Sequence, residues 1–508
     1  MDRPPTAEAE VAAELSSLRP DLVPRYAAAL PGARAAVLTR LWRALAHEPL
    51  PWITGRESGR EDLALRLADG RLLHGPRADP YATAAYVTEV RLDGVAYDDP
   101  ARLMTALAVP HGGGFAAELG HSAASLALSR AAREPVTEAW PAHDWEWEQR
   151  VVDGHPYHPN CRSRPGFSVA EQLAYGPEHR PVVRLGLVPV PARECLVSGG
   201  WPQDLRDGER LLIPVHPWQA AHVLKRSGGQ EVATHRPMPA HPLMSLRTLA
   251  LPGGPHVKTS LSARLTSSVR DISVGSVAAS AALSAFAETL AARTDGLLHI
   301  TRTLGAATPD SPELAAVLRE SPAVYAGPGE RVVPVAALAT TRLPESPAWT
   351  AEFARLALTV GLRLLEWGVA LEAHGQNLLV VLSASGAPLR LVYRDLADIR
   401  VGPARLARHG LALPDDLPAR ILTDEEPALR RKLFGSLVAG SLAATAGSGT
   451  ALRAALDTAV RELPRTPDLV ALCERPLPAK ALTLMRLSPG TAGDQWAALP
   501  NPLAPREN

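Results

Sequence analysis

The sequence predicts an α+β protein that combines antiparallel hairpins with long, separate helices. One indication is the apolar run 353–367, which Ser346-Pro347 precedes as an N-cap with proline at the first helical position. A second is a pair of turn signals, at 252–255 and 383–388, each lying between segments rich in strand-forming residues. A third is the mostly helical pattern of the C-terminal part of the chain. Together they favour sheets and helices in separate segments.

Length and composition exclude several classes of protein. A chain of 508 residues suggests about three domains. Lys plus Arg equals Asp plus Glu at 53 each, so no overall field favours nucleic acid or an anionic membrane as partner. Cys161, Cys195 and Cys473 are far apart, so a disulfide framework is not expected and a reducing cytoplasm fits. The first residues form no apolar signal segment, and no apolar run is long enough to cross a bilayer.

The N-terminal part predicts small helices and strand pairs. Prolines interrupt 7–46, which predicts several short helices. The segments 62–73 and 82–95 predict strands around Asp-Gly turns. From 100 to 133 the pattern is helical again, with the glycines 112–114 as an interruption. The stretch 135–144 then marks a domain boundary.

Two later segments contain no candidate functional residues. Residues 279–292 predict a helix, and the proline-rich stretch 309–347 predicts a linker with short elements.

The segment 154–167 predicts a stiff loop, because its prolines force extended or turn backbone. His155, His158, Arg162 and Arg164 lie on it, and such a loop can meet anions at little loss of chain entropy. The alternative is a structural turn with exposed polar side chains. No third histidine or cysteine stands at ligand spacing, so zinc is not expected.

A hairpin of 244–251 and 256–266 predicts a cationic sheet face. In its second strand the polar residues alternate with apolar ones: Lys258, Ser260, Ser262, Arg264 and Thr266. A turn centred on Gly253-Gly254 places Ser245 and Arg247 on the same face as Lys258 and Thr266, with Arg270 within reach. Such cations and hydroxyls suit a phosphate or a carboxylate. The alternative is an amphipathic hairpin whose polar face meets water.

The stretch 371–380, with Tyr393-Arg394-Asp395, predicts the other half of a site. Alternation predicts a strand from Val369 that Gly375 breaks, and a hairpin follows near Gly386. That hairpin places Asn377 opposite Asp395. Five polar side chains then converge at its open end: Glu372, His374, Gln376, Asn377 and Asp395. Their hard oxygen atoms suit Mg²⁺ holding a phosphate chain, whereas the alternative is a solvated polar turn.

The same stretch is similar to the catalytic loop of kinase-like phosphotransferases. Gln376 stands where the catalytic aspartate of a kinase would be, and glutamine cannot accept a proton from an alcohol. Acyl activation needs no such base, because a carboxylate is already a nucleophile. A small-molecule kinase remains the alternative hypothesis, because the part of such a site that binds ATP and Mg²⁺ does not depend on that base. Lys258 does not belong to a P-loop, since Val257 replaces the second glycine.

These segments together resemble the IucA/IucC family, the siderophore synthetases that act without a peptide-synthetase template. The resemblance spans roughly residues 110–490. Its motifs appear in family order: 154–159 with Ser163-Arg164 and Gly166-Phe167, 214–219, 245–248, Lys258 with Thr266 and Arg270, 372–377, Arg394-Asp395, and 480–486.

The resemblance implies a cupped-hand architecture: an N-terminal thumb (1–140), a β-rich fingers domain with antiparallel sheets (141–325) and a mostly helical, kinase-like palm (326–508). It implies that ATP and Mg²⁺ adenylate a carboxylic acid, citrate or a citrate or dicarboxylate derivative. An amine or alcohol then gives an amide or ester, AMP and pyrophosphate. It also implies a homodimer. A catalytically inactive siderophore- or citrate-binding protein is a third hypothesis, against which the retained Glu372, Asp395 and Lys258 argue.

By position, the resemblance also implies roles for individual residues. The catalytic residues are His158, Lys258, Arg270 and His374. The carboxylate substrate contacts Thr266, Arg270, His374 and Arg486. The nucleotide contacts Ser163, Ser245, Arg247, Thr248, Lys258, Gln376 and Asn377. The magnesium ligands are Glu372, Asn377 and Asp395.

Overall fold

The computed structural model describes residues 6–83, 86–133, 139–225, 233–265, 268–491 and 493–504. Helices and sheets occupy separate segments and share three large hydrophobic cores, which confirms the predicted α+β class.

The N-terminal part packs helices on a small antiparallel sheet of five strands in sequence order. Its elements are α1 (Ala7–Leu18), α2 (Val23–His47), β1 (Ile53–Ser58), β2 (Asp62–Leu67), β3 (Leu72–Pro76), β4 (Val90–Leu92), β5 (Val95–Tyr97), α3 (Pro100–Leu107) and α4 (Gly112–Ala131).

Two expectations for this part are wrong. Pro31 lies inside the 25-residue helix α2, which continues because one side of it is buried in the core with Leu41 and Trp42. The glycines 112–114 form the first turn of α4 rather than an interruption.

The middle of the chain forms a nine-stranded sheet in the order β7-β16-β17-β12-β11-β10-β6-β9-β8. The elements are α5 (Asp144–Gln149), α6 (Val169–Tyr175), β6 (Val183–Pro191), β7 (Leu196–Gly199), β8 (Arg206–Asp207), β9 (Arg210–Val215), α7 (Pro217–Gln219), β10 (Ala233–Pro242), β11 (Thr248–Ala250), β12 (His256–Thr259), β13 (Leu261–Leu265), β14 (Ser268–Arg270), α8 (Val274–Ala278), α9 (Ser280–Ala291), β15 (Leu298–Ile300), β16 (Thr303–Thr308) and β17 (Ala316–Arg319).

The last part is mostly helical, as predicted, around a four-stranded sheet in the order β15-β21-β20-β18. Its elements are β18 (Arg331–Pro334), α10 (Pro347–Trp367), β19 (Val369–Ala370), β20 (Leu378–Leu382), β21 (Pro388–Tyr393), β22 (Arg400–Val401), α11 (Pro403–Arg408), α12 (Glu426–Leu433), a π-helical turn (Phe434–Leu442), α13 (Ala443–Ala446), α14 (Gly449–Val460), α15 (Pro467–Glu474), β23 (Leu477–Lys480), α16 (Leu482–Leu487) and β24 (Trp496–Leu499).

Helix α10 begins and ends as its sequence predicts. The Ser346 hydroxyl accepts a hydrogen bond from the Trp349 N–H, and Gly368 ends the helix at φ 101°, a conformation that favours glycine. The stretch 309–347 is more than a linker, because it supplies β17 to the nine-stranded sheet and β18 to the four-stranded one.

The end of the chain returns to its beginning. Ala481, Leu484 and Leu487 of the α16 region lie in the N-terminal hydrophobic core, together with Ala497 of β24. The buried Glu48 at the end of α2 accepts hydrogen bonds from the N–H groups of Thr483 and Leu484. The C-terminal segment therefore connects the first core to the last.

Candidate active site

The cationic side of the site is built on the hairpin of β11 and β12. Thr248 lies directly opposite Lys258, so the register differs by one residue from the predicted one, and Arg247 lies just before β11 rather than within it. The first strand of the hairpin also begins later than predicted, at Thr248 instead of 244, because Leu246 adopts φ 65°. Arg247 instead reaches the carbonyl oxygens of Arg270 and Asp271, at 3.0 Å for Asp271.

The second predicted strand is also shorter than expected. It breaks at Ser260, whose hydroxyl donates to the Pro312 carbonyl oxygen, and β13 then pairs with β14 instead of continuing the hairpin. Arg264 is consequently exposed, away from the cationic face that its alternation predicted. The role predicted for Thr266 falls outside the described residues.

Lys258 meets Asp395 at the centre of the site. The ammonium group lies 2.8 Å from both carboxylate oxygens, which joins the nine-stranded sheet to the end of the β20–β21 hairpin. Burial lowers the pKa of Lys258 to about 8, although Asp395 opposes that shift. Burial alone would raise the pKa of Asp395, but Lys258 and Arg319 hold it far below its usual range. Both groups are therefore charged at neutral pH.

The β20–β21 hairpin forms as predicted, with one difference in register. Leu378 pairs with Tyr393, and the Arg394 N–H donates to the Asn377 carbonyl oxygen at 3.1 Å. Asn377 thus lies opposite Arg394 rather than Asp395, because the turn that joins Ser383 to Ala387 is centred one residue before Gly386, and the register shift between Val381 and Leu382 makes up only part of that difference. Asp395 follows with φ 69°. This left-handed backbone is uncommon outside glycine, asparagine and aspartate.

The predicted strand from Val369 to His374 ends at Ala370. Side chains rather than a neighbouring strand satisfy the next backbone groups. The Ser436 hydroxyl accepts from the Ala373 N–H, and the Tyr393 hydroxyl accepts from the Glu372 N–H at 3.2 Å. The same hydroxyl lies 3.4 Å from the Asp395 carbonyl oxygen. Tyr393 therefore holds the two acidic segments together.

Glu372 is engaged by two lysines. Its Oε1 atom accepts hydrogen bonds from Lys432 at 3.0 Å and from Lys480 at 2.9 Å, and Lys480 also pairs with Asp494. Burial would raise the pKa of Glu372, yet Lys480 and Lys432 lower it to about 2. Lys432 carried no predicted role. Its contact with Glu372 becomes evident only from the fold, which places α12 beside the site.

The donor set of Glu372, Asn377 and Asp395 fits Mg²⁺. Two carboxylates and an amide are hard oxygen donors, and Mg²⁺ is usually held by one or two carboxylates together with substrate phosphates. In the described residues, no group of three or more His, Cys, Asp or Glu side chains could hold a metal ion by itself. Each carboxylate also contacts a lysine, so binding Mg²⁺ requires these ammonium groups to shift.

His374 and its neighbours form a polar turn that Arg394 fixes. The guanidinium donates to the Gln376 carbonyl oxygen at 2.8 and 3.0 Å and pairs with buried Glu148 at 2.7 Å. The His374 Nδ1 atom accepts from the Gln376 N–H at 3.3 Å, and burial lowers the pKa of the imidazole. A neutral His374 therefore carries its proton on Nε2, as a donor without charge.

The loop 154–167 contributes histidines, whereas its arginines serve the fold. Arg162 and Arg164 both pair with Glu178, and all three side chains are buried. The interpretation that these arginines meet an external anion is wrong, because Glu178 is that anion. His155 remains exposed, and its Nδ1 atom accepts from the Tyr157 N–H at 3.2 Å. The ion pairs of Arg162 and Arg164 with Glu178 therefore fix the loop, and its histidines are the groups that it contributes to the site.

His158 and Arg486 approach the site from the side of α4. His158 is buried, and burial, with Arg270 nearby, lowers its pKa to about 3. Arg486 pairs with Glu118 of α4, with its Nε atom 3.0 Å from one carboxylate oxygen. The Asn160 amide donates to the same oxygen at 2.5 Å. Helix α4 thus positions both the histidine loop and the C-terminal segment.

The hydroxyls assigned to the nucleotide have mixed surroundings. The Ser245 hydroxyl accepts from the Thr248 N–H at 3.2 Å, which leaves its own proton available as a donor. Thr248 and Ser163 are buried. Asn377 is also buried, and its amide donates weakly to the Glu372 carbonyl oxygen at 3.4 Å.

Sequence reasoning did not identify Arg319, at the end of β17. It lines the cleft that contains Lys258 and Asp395. The signal available was a short apolar strand, Ala316-Val317-Leu318, that ends in a cation.

Comparison with known proteins gives two family matches. Residues 143–340 match the IucA / IucC family, and residues 347–494 match the family described as ferric iron reductase FhuF-like transporter. None of the helices in the described part of the chain is both long and apolar enough to span a membrane.

One curated relative is the citryl-spermidine/3,4-dihydroxybenzoyl-citryl-spermidine:spermidine ligase of Bacillus anthracis. It is 25% identical over 311 residues, which cover 49% of this chain and 50% of that protein. The chain spans about half the length of the curated relatives it matches first.

Two solved structures share the fold over nearly the whole chain. The petrobactin biosynthesis protein AsbB of Bacillus anthracis has a TM-score of 0.74 at 19% identity, covering 95% of this chain and 98% of that one. ATP-bound aerobactin synthetase IucA of Klebsiella pneumoniae has a TM-score of 0.71 at 21% identity, covering 93% and 99%. At these identities the similarity establishes the fold.

Proposed function

We propose that this chain, a member of the IucA/IucC family, is an ATP-dependent siderophore synthetase. It adenylates a carboxylic acid, citrate or a citrate or dicarboxylate derivative, and condenses it with an amine or alcohol. The products are an amide or ester, AMP and pyrophosphate. The observation that carries the proposal is the meeting of Lys258 and Asp395 at 2.8 Å, because it joins a cationic sheet face to an acidic hairpin end. Charge of both signs is what a Mg²⁺-nucleotide complex requires.

The acid is oriented by Arg270, Thr266, His374, Arg486 and His158. Two of these groups are histidines whose lowered pKa values keep them neutral. A neutral imidazole can donate a hydrogen bond to a carboxylate without neutralising it. The acid therefore keeps the negative charge with which it attacks the α-phosphorus, while Arg270 provides the attraction.

The nucleotide phosphates are held by Lys258 and Arg247, with hydroxyl and amide donors around them. The contacting groups are Ser163, Ser245, Thr248, Gln376 and Asn377. Glu372, Asn377 and Asp395 would hold Mg²⁺, which when bound neutralises charge on the phosphates. As the carboxylate oxygen bonds to the α-phosphorus, the bond from that phosphorus to the pyrophosphate oxygen breaks. Lys258 and Arg247 stabilise the negative charge that leaves.

The nucleophile is an amine or alcohol that arrives uncharged and attacks the acyl-adenylate carbonyl, displacing AMP. An amine is favoured because the curated relative from Bacillus anthracis is named as a spermidine ligase. We also propose that this chain has the cupped-hand architecture of the family, with a thumb (1–140), fingers (141–325) and a palm (326–508). We further propose that it is a cytoplasmic homodimer.

The direct test is citrate-dependent exchange of labelled pyrophosphate into ATP, followed by AMP release when amines are added. We expect exchange with citrate or a related acid, and none with Arg270→Ala. Formation of ADP and a phosphorylated product would support the small-molecule kinase instead. Calorimetry that detects citrate binding but no Mg·ATP binding would favour an inactive binding protein.

A further inference from the structure

Arg319 is a buried cation that has no hydrogen-bond or ion-pair partner among the described residues. It is only 7% exposed, and within the described ranges its guanidinium makes no hydrogen bond or ion pair. Burial lowers its pKa, and Asp395 is the main group that opposes this shift. Arginine nevertheless stays protonated in proteins. A buried charge that lacks a partner is costly, so an anion from outside the chain is the simplest compensation.

A second orphaned donor faces the same cleft. Thr301 is 3% exposed, and its hydroxyl has no hydrogen-bond partner among the residues that the structure describes. The cleft opens between the nine-stranded sheet, α9 and the turn after Asp395. Its lining joins apolar side chains such as Leu283 and Val317 to the polar groups Lys258, Thr301, Arg319 and Asp395.

Strand register explains why Arg319 and Lys258 act together. Lys258 lies opposite Val317, while Arg319 lies opposite His256 on one neighbouring strand and Thr303 on the other. Since alternate residues share a face, Lys258 and Arg319 are diagonal neighbours on one side of the sheet. The Lys258 ammonium already contacts Asp395, whereas the Arg319 guanidinium makes no such contact within the described residues and can direct its fork to a ligand in the cleft.

We propose that Arg319, assisted by Thr301, forms a pyrophosphate-binding subsite beside Lys258. The inference rests on the proposed function and deepens it, because it assigns a place for the leaving group. A guanidinium offers a planar fork that matches two phosphate oxygens, whereas Lys258 supplies a point charge. When the bond from the α-phosphorus to the bridging oxygen breaks, that oxygen keeps the electron pair. Arg319 then stabilises the charge on the departing pyrophosphate.

The test uses inorganic pyrophosphate as the probe and isothermal calorimetry on the full chain. Arg319→Met should weaken pyrophosphate binding at least tenfold. Arg319→Lys, which keeps the charge but loses the fork, should weaken it severalfold. Arg302→Met is the matched control, because Arg302 is adjacent to Thr301 in sequence but lies exposed and paired with Glu320. It should bind pyrophosphate like the unaltered protein.

Thermal unfolding without ligand separates binding from structure. A cation held for a ligand should not stabilise the empty protein, so Arg319→Met should melt at or above the temperature of the unaltered chain. Pyrophosphate binding within twofold of normal in both Arg319 variants would overturn the inference, and so would a lower melting temperature with unchanged affinity. If Arg319→Met does not fold, the affinity of Arg319→Lys decides.

Failure of the subsite and failure of the proposed function differ in outcome. If citrate-dependent exchange occurs while the Arg319 variants bind pyrophosphate normally, only the subsite is wrong. If pyrophosphate binds through Arg319 but no acid supports exchange, the ligase proposal fails and the subsite stands.

Discussion

Two clusters in this protein combine a carboxylate with cations, yet their surroundings differ. Around Glu178, Arg162 and Arg164 are both paired, and the side chains are 0–6% exposed. Around Asp395, Lys258 is paired, whereas Arg319 has no ion-pair partner in the described part of the chain, and the Asp395 side chain is 29% exposed. In the first cluster every charge is used inside the protein. In the second, cationic donors remain for a ligand. Unused donors, rather than residue types, distinguish a binding site from a structural ion cluster.

The Glu178 cluster also uses its arginines on the backbone. Arg162 donates to the carbonyl oxygens of Val151 and Val152, at 2.6 Å for Val151 and 2.9 Å for the Nε contact with Val152. The Ser129 hydroxyl of α4 adds a hydrogen bond to Glu178 at 2.8 Å. The cluster therefore ties the histidine loop to α4, and its role is to position that loop.

Among the substitutions that test this difference between the two clusters, Glu178→Gln should have the largest effect. Removing the carboxylate leaves two buried guanidinium groups uncompensated, which should lower the free energy of unfolding by about 3–5 kcal/mol. Denaturant titration would measure this loss. Because the cluster positions the histidine loop, the fraction that remains folded should lose less adenylation activity than a variant that lacks a charged group of the site itself. A variant as stable as the unaltered chain would show that the cluster is not structural.

Asp395→Asn should give the opposite phenotype. Asparagine tolerates the φ of 69°, so the turn should be retained. The variant loses a carboxylate that pairs with Lys258 and is proposed to hold Mg²⁺. Pyrophosphate exchange should fall by about 10²–10³-fold, the effect typical of losing one electrostatic group in an active site.

Circular dichroism and thermal unfolding are the controls for Asp395→Asn. A folded variant that retains near-normal exchange would contradict the assignment of Asp395 to the catalytic site.

The sequence predicted well whatever depends on neighbouring residues. Helix α10 with its cap and stop, both hairpins, and the approach of Lys258 to Asp395 follow from local patterns and motif order. Register was harder. The register of each hairpin differs by one residue from the predicted one, because alternation alone does not locate the turn residues or the bulge that set the register.

Apart from the approach of Lys258 to Asp395, the long-range partners could not be predicted. Arg162 and Arg164 look like anion-binding residues until Glu178 is placed beside them. Lys432 contacts Glu372 across 60 residues, and Arg319 lies in a stretch predicted to be a linker. Such contacts depend on how separate segments pack, about which local propensity carries no information.

Glu48 offers a third, contrasting carboxylate, since backbone N–H groups of α16 rather than ion pairs hold it. Burial raises its pKa to about 7 from an ordinary value of 4.5, with those N–H groups and Arg43 opposing the shift. Because the folded protein binds this proton more tightly, its stabilising effect is complete below pH 4.5. It is lost as the pH rises to about 7, by about 3 kcal/mol in all.

Glu48→Gln should remove this pH dependence, because glutamine does not titrate. The difference in unfolding free energy between the two proteins, measured from pH 5 to pH 8, should change up to about pH 7 and then level off. A constant difference would mean that Glu48 has an ordinary pKa when folded. Since α16 also carries Arg486, the measurement reports how firmly the C-terminal segment is held.

The smallest effect should come from Arg264, which the alternating pattern places on the same face as Lys258. In the structure the strand breaks at Ser260, and Arg264 points to solvent while Lys258 lies in the cleft. Arg264→Ser should therefore change pyrophosphate exchange by less than about twofold and unfolding free energy by less than about 0.5 kcal/mol, as for most surface substitutions. Lys258→Ser, measured alongside, should abolish exchange. Equal damage from both substitutions would mean that the strand continues through Ser260 and that the cationic face extends farther than the structure places it.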